Sequence, residues 1–373
     1  MRFVVIVMLS LAGCYNPQIG EGKFLCGPAN SCPAGFSCAS DNRCYRMAPT
    51  PDMTSTAFVG NGALGDLDLS AQTGVVLFNG KTGVFKLAAA PNTVLVGPGV
   101  STDFAAGFQM QVTQPSGGPP VSIWNFGKVV IPSGVILQSD PAGGAGYAIA
   151  FLATGQLTLQ GAIDVRGLGG FGGLPGKAGK DPSSSLMTGG GGGATAEGSG
   201  GGGAGHKDAG KAGDGPSGGI AGTAYGNDDL TVLVVGSGGG GGGTPTSTGS
   251  RGGTGGGGIA LISAVLDIAG KIDVTGANGE AGDSNAPTSA GGGGAGAGGA
   301  ILLGGNSVTL ESSHTLLALG GGAGVGSSGG SSGGIASKGR ITVIGTVVTN
   351  GGTGNDMPVP TIKTNSLIAT FPR

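Results

Sequence analysis

Two aspartates invite a chemical reading first. Asp164 and Asp273 occupy the same position of two similar stretches, residues 157–167 and 266–276. Their neighbours Ile163, Val165, Ile272 and Val274 alternate with them, so inward aliphatic side chains would leave both carboxylates pointing out. On adjacent strands they would sit about 4.8 Å apart. Like charges that close raise one pKa or recruit a cation, which makes the pair a weak candidate for a metal site. On separated strands they are two solvated surface aspartates. Asn227-Asp228-Asp229 and the pair Asp208 and Asp214 offer further carboxylates, read first as loop solvation and second as cation ligands.

Other catalytic patterns dissolve on inspection. Gly-x-Ser-x-Gly occurs at 215–219, 326–330 and 329–333, but a nucleophile elbow needs a strand-to-helix turn and a His base. His206, beside Lys207 and Asp208, and His314, in a Ser-rich stretch, are the two histidines of the chain, and both read as solvated. Gly-x-Gly-x-x-Gly matches wherever glycines cluster, with no strand–loop–helix unit around it. Gly80-Lys81-Thr82 ends like a P-loop, but Val75 stands where that loop needs its first glycine. No catalytic residue and no cofactor is assigned.

The elements that position these groups follow from composition and repetition. The chain has 373 residues, 89 of them Gly, with 10% charged and 5% aromatic residues and a net charge of −2. Average usage is roughly 7% Gly and 25% charged. Gly in a helix interior costs about 1 kcal/mol relative to Ala, so a large helical core is excluded. Lys and Arg form no cluster, so a nucleic-acid footprint is absent.

Three stretches align without gaps: 157–167, 266–276 and 341–351. Val308-Thr309-Leu310 with Leu317-Ala318-Leu319 makes a looser fourth copy. Ile149-Ala150, Ile259-Ala260, Ile301-Leu302 and Ile335-Ala336 precede the copies after glycines. Within a copy apolar and polar residues alternate, broken by one central Gly, which reads as strand, kink, strand. Stacking equivalent strands in parallel buries the aliphatic column. The predicted fold is therefore all-β, a parallel β-helix or β-solenoid. Residues 129–136, 67–69 and 74–77 fit as upstream rungs, and 230–234 as a rung inside the longest insertion.

From 161 to 354, 67 of 194 residues are Gly. Such runs are either flexible coil or close-packed polyproline-II-like segments. They are expected to bulge outward, and in the close-packed case their ends gather on one side or edge of the stack as a contact surface.

The N-terminus reads as an address. Arg2 is a minimal positive n-region, and residues 3–9 are an apolar run too short to span a bilayer. Leu11-Ala12-Gly13-Cys14 resembles the bacterial lipobox, which implies acylation of Cys14 and stable anchoring by two or more chains. Tyr15 in place of Asp leans towards the outer membrane, at the cell surface or facing the periplasm. Cys26, Cys32, Cys38 and Cys44 then follow at C-x5-C-x5-C-x5-C spacing. An exported chain favours two disulfides of open connectivity over a zinc site. Residues 32–38 resemble the C-P-x-G-F-x-C stretch of EGF-type modules. The resulting organisation is a signal peptide (1–13), a lipidated Cys-rich disulfide module (14–46), a Pro/Thr-rich linker (47–60), N-terminal β rungs (61–145), glycine-rich repeats (146–354) and a tail (355–373).

Lipobox, Cys-rich head and Ile-Asp rungs between poly-Gly runs together resemble myxobacterial-type glycine-rich cell-surface lipoproteins, a family largely of unknown function. The expectation is a lipid-anchored structural or adhesive protein presenting glycine-rich loops to polysaccharide or a surface partner. The alternatives are a β-helix polysaccharide lyase or hydrolase and a purely structural envelope component.

Overall fold

Period-two alternation is realised as strands, and the strands pair in parallel with their equivalents. A computed structural model of the chain describes residues 24–25, 27, 36–38, 43–46, 60–114, 118–180, 189–228, 230, 232–243, 250–284, 289–352 and 356–364. The chain divides into two units, Met1–Asp52 and Met53–Arg373. In the first, β1 (Phe24–Leu25), β2 (Phe36–Cys38) and β3 (Arg43–Arg46) form a three-stranded antiparallel sheet in which Cys38 and Cys44 are register partners. Cys14, Cys26 and Cys32, and with them the signal and lipidation expectations, lie outside the described residues.

Among its described residues the second unit is nearly all β, with one four-residue α-helix, α1 (Phe104–Gly107). Its early strands are β4 (Leu67–Asp68), β5 (Gly74–Phe78), β6 (Phe85–Leu87), β7 (Val94–Val96), β8 (Phe108–Val112), β9 (Val121–Phe126), β10 (Val129–Ile131) and β11 (Val135–Ser139). The repeats supply β12 (Ala148–Leu159), β13 (Ala162–Asp164), β14 (Gly258–Ile268), β15 (Lys271–Asp273), β16 (Ala300–Leu310), β17 (Thr315–Leu317) and β18 (Arg340–Asn350), and β19 (Thr361–Thr364) closes the order. Long strands alternate with short ones. The long ones join a mixed nine-stranded sheet through the parallel run β18-β16-β14-β12, and the short ones a seven-stranded sheet through β17-β15-β13-β11.

Side chains stack in columns across these strands. Val76, Leu137, Ile163, Ile272 and Leu316 are successive register partners and each is fully buried. Leu67, Val129, Leu157, Leu266, Val308 and Val348 form a second column. The upstream rungs expected at 67–69, 74–77 and 129–136 thus pair as read. At the N-terminal end the antiparallel pairs β5-β6, β6-β7 and β8-β9 gather Phe78, Phe85, Trp124, Phe126 and Phe151 into one aromatic cluster.

Three readings need correction. The third copy is displaced by seven residues: Ile341 pairs with Ile301, while Leu266 aligns through Val308 with Val348. Ile341 and Thr342, not Ile335 and Ala336, therefore continue the leading dipeptides, and Val347 is 55% exposed. In the looser copy Leu316, not Leu317, opposes Ile272. That one-residue difference exchanges the two faces of the strand. Residues 230–234 form no strand where described; Leu230, Leu233 and Val234 instead cover the outer face of the long sheet against Ile123, Ala150, Ile262 and Leu302.

The glycine runs do not bulge into solvent. Residues 198–206, 233–243 and 291–299 are buried, and their backbones hydrogen-bond with a period of three. Gly291, Gly294 and Ala297 donate to Gly243, Gly240 and Ser237. Gly292, Ala295 and Gly298 donate to Ser331, Gly334 and Ser337, and Gly293, Gly296 and Gly299 to Glu280, Ala277 and Val274. Each of the three faces of this segment thus docks on a different neighbour. The approach leaves no room for a side chain: a Cβ on Gly294 would lie 2.0 Å from the Gly202 carbonyl oxygen.

Candidate functional site

The short-strand sheet carries the aspartates outward, as the alternation requires. Asp164 ends β13, Asp273 ends β15, and the two are register partners on adjacent parallel strands. Each carboxylate caps the turn that stops its strand: Arg166 N–H donates to Asp164 Oδ1 at 3.1 Å, and Thr275 N–H to Asp273 Oδ1 at 3.0 Å. Asp hydrogen-bonding the backbone two residues on is a turn device in its own right.

The like charges are compensated by two cations. The Arg166 guanidinium grips Asp164 through both carboxylate oxygens, Nη2 at 2.6 Å and Nε at 3.0 Å, and its Nε lies 3.9 Å from Asp273 Oδ2. Lys271 Nζ sits 2.9 Å from the same Asp273 oxygen. Burial pushes the Asp273 carboxyl up, but hydrogen bonds from Thr275 and Lys271 outweigh it and hold its pKa below the ordinary value. The hydrogen bonds to Asp164 raise the Arg166 pKa, so the guanidinium stays charged. Both cations were legible from spacing: Lys271-x-Asp273 puts the lysine on the strand face of its acid, and Asp164-x-Arg166 puts the arginine in the turn that follows its acid.

Beside this ladder lies an open cleft of about 450 Å³. Gln138, the register partner of Asp164 on β11, lines it with Asp164, Arg166, Thr254, Thr275 and Asn278, and Gly167, Gly276 and Ala277 contribute backbone. Residues 165–167 and 274–278 are where the chain leaves the short strands for the glycine segments, and Thr254 is on the return path. The cleft therefore forms at the root of the glycine bundle. Among the described residues, no three His, Cys, Asp or Glu side chains come together as a metal site.

The remaining candidates are dispersed. Both histidines are buried rather than solvated. His314 Nε2 lies 2.8 Å from Asp356 Oδ2, and its Nδ1 meets the Glu311 carbonyl. His206 stacks on Tyr225 with centroids 4.8 Å apart, its Nδ1 against the Gly298 carbonyl, and burial drives its pKa down to about 3. Neither has a serine beside it in any hydrogen bond of the described residues. Asp228 answers Arg340 at 3.3 Å and Lys207 at 3.8 Å, while Asp214 is exposed. No described helix is long and apolar enough to cross a membrane. No family model, no curated protein and no solved structure matches the chain.

Proposed function

We propose that the protein is a lipid-anchored outer-membrane surface protein with a structural and adhesive role. Cys14 carries the acyl chains, residues 26–44 form a disulfide-stapled spacer, and the second unit is a parallel β-solenoid. In this reading the glycine runs are polyproline-II-like segments, three residues per turn, that serve as scaffold, and the surface offered to a polysaccharide is the cleft at their root. The observation that carries an adhesive over a catalytic role is the compensated pair Asp164 and Asp273. Glycoside hydrolysis needs one carboxyl that keeps its proton near neutral pH, whereas Asp273 is held below the ordinary carboxylate range and Asp164 is clamped by Arg166.

A polysaccharide-cleaving enzyme is the second reading, favoured by the convergence of two carboxylates and two cations beside an open cleft. The anchor is tested by growing cells with a clickable fatty acid: the wild type should label and Cys14→Ser should not. Protease added to intact cells should then remove the second unit. A labelled Cys14→Ser protein overturns the anchor, and turnover of polysaccharide by the purified chain overturns the adhesive role.

A further inference from the structure

We infer that the cleft beside Asp164 takes an uncharged, polyhydroxylated ligand, a stretch of neutral polysaccharide, rather than an anion or a metal ion. The inference deepens the adhesive reading and rests on it.

Charge is the first argument. A site for an anionic polymer keeps unspent cations, and a site for a cation keeps unspent carboxylates. Here both signs are spent on each other. Arg166 is held by two oxygens of Asp164, and Lys271 lies against Asp273. A divalent ion approaching Asp164 meets the Arg166 guanidinium, and a carboxylated sugar approaching Arg166 meets Asp164 and, beyond it, Asp273. An uncharged partner meets neither repulsion.

The lining chemistry is the second. Gln138 and Thr254 supply an amide and a hydroxyl that both donate and accept, Asn278 keeps its NH2 as a donor while its Oδ1 accepts from Gly322 N–H at 2.7 Å, and the Thr275 hydroxyl, hydrogen-bonded to Asp273, keeps its oxygen as an acceptor. The bound edges of Asp164 and Arg166 still carry a lone pair and N–H groups, as a vicinal diol requires. Among the described residues, no aromatic or large aliphatic side chain lines the cleft, so an apolar ligand finds nothing there to bury against. Shape is the third. The volume of about 450 Å³ falls within the range of ligand sites, yet the cleft is open to solvent, so a bound unit can continue outward as a chain.

The test is calorimetric titration of the purified full-length chain, in detergent, with cellohexaose, xylohexaose and chitohexaose as neutral probes, hexagalacturonate as the anionic probe, and calcium chloride alone. At least one neutral hexasaccharide should bind. Gln138→Ala and Arg166→Gln should each weaken that binding about tenfold, the scale of one lost hydrogen bond to a charged or buried group. An unchanged urea midpoint for Gln138→Ala keeps the result interpretable if Arg166→Gln folds poorly. Tighter binding of hexagalacturonate or calcium, neutral binding indifferent to both substitutions, or no neutral binding overturns the inference. Fatty-acid labelling of Cys14 in the same preparation separates the outcomes: a labelled protein that binds none of the neutral probes loses this ligand class but keeps its anchor.

Discussion

Asp164 and Asp273 stand side by side on adjacent parallel strands, and one guanidinium, that of Arg166, reaches both. The arrangement makes Arg166 the electrostatic hinge of the ladder. Without it, two carboxylates about one strand spacing apart face each other with only Lys271 to offset them.

Replacing Arg166 by Gln should therefore raise the titration of Asp273, read by carboxyl-carbon NMR. The cost in stability at neutral pH should stay below about 1 kcal/mol, because the arginine is more than half exposed and solvent screens the pair. The sign with pH is fixed by Asp273, whose folded pKa lies below its unfolded one. Its contribution is present above the ordinary carboxylate value and fades as pH falls through the folded value. A variant in which Asp273 titrates as in the wild type would refute the hinge.

The stacked column makes a sharper claim about Ile272 and Val347. Ile272 is fully buried between Ile163 and Leu316, so Ile272→Ala should cost about 2–5 kcal/mol in urea unfolding. Val347 is 55% exposed, so Val347→Ala should fall within about 0.5 kcal/mol of wild type. Comparable losses at both sites would mean that the register is wrong.

The same two residues show what the sequence could and could not reveal. Alternation around Ile163 and Ile272 is unambiguous because a central glycine, Gly161 or Gly270, fixes the phase of each copy. Around Val347 it misleads. The first half of β18 alternates as well as the second, and Gly345 mimics the kink, so a seven-residue displacement leaves the pattern intact. Arg166 and Lys271 were within reach from their spacing to the aspartates. The adjacency of the two aspartates was not, because the 92 residues between 165 and 258 could have held other rungs. The burial of the histidines was hidden too, since their neighbours Tyr225, Arg340 and Asp356 are remote or fall in loops without periodicity.

His206 should make the fold acid-sensitive. Its ring is buried on Tyr225 near Arg340, and its folded pKa of about 3 lies below the ordinary value of 6.5. The unfolded chain binds the proton first, so stability is intact above pH 6.5 and declines from there towards pH 3, by at most about 1.4 kcal/mol per pH unit. His206→Gln should flatten that slope. Urea midpoints measured across this range check it, and an identical slope in the variant would assign the acid sensitivity elsewhere.

Gly294 tests whether the glycine runs are a packed element or coil. Its N–H donates to the Gly240 carbonyl at 2.8 Å, and a Cβ at 294 would meet the Gly202 carbonyl oxygen at 2.0 Å and its carbon at 2.4 Å. Both neighbours are backbone and are themselves hydrogen-bonded in the bundle, Gly240 N–H to Gly202 and Gly202 N–H to Gly192. Neither can yield alone. Overpacking of this kind costs about 1–3 kcal/mol or more, so Gly294→Ala should unfold at clearly lower urea. Gly322 is the control: its added Cβ meets nothing closer than the Asn278 side-chain oxygen at 3.4 Å. Gly322→Ala should be neutral or stabilising by up to about 1 kcal/mol, since the unfolded chain alone loses freedom. Were the runs coil, both substitutions would act only through the unfolded chain, and the two midpoints would move together.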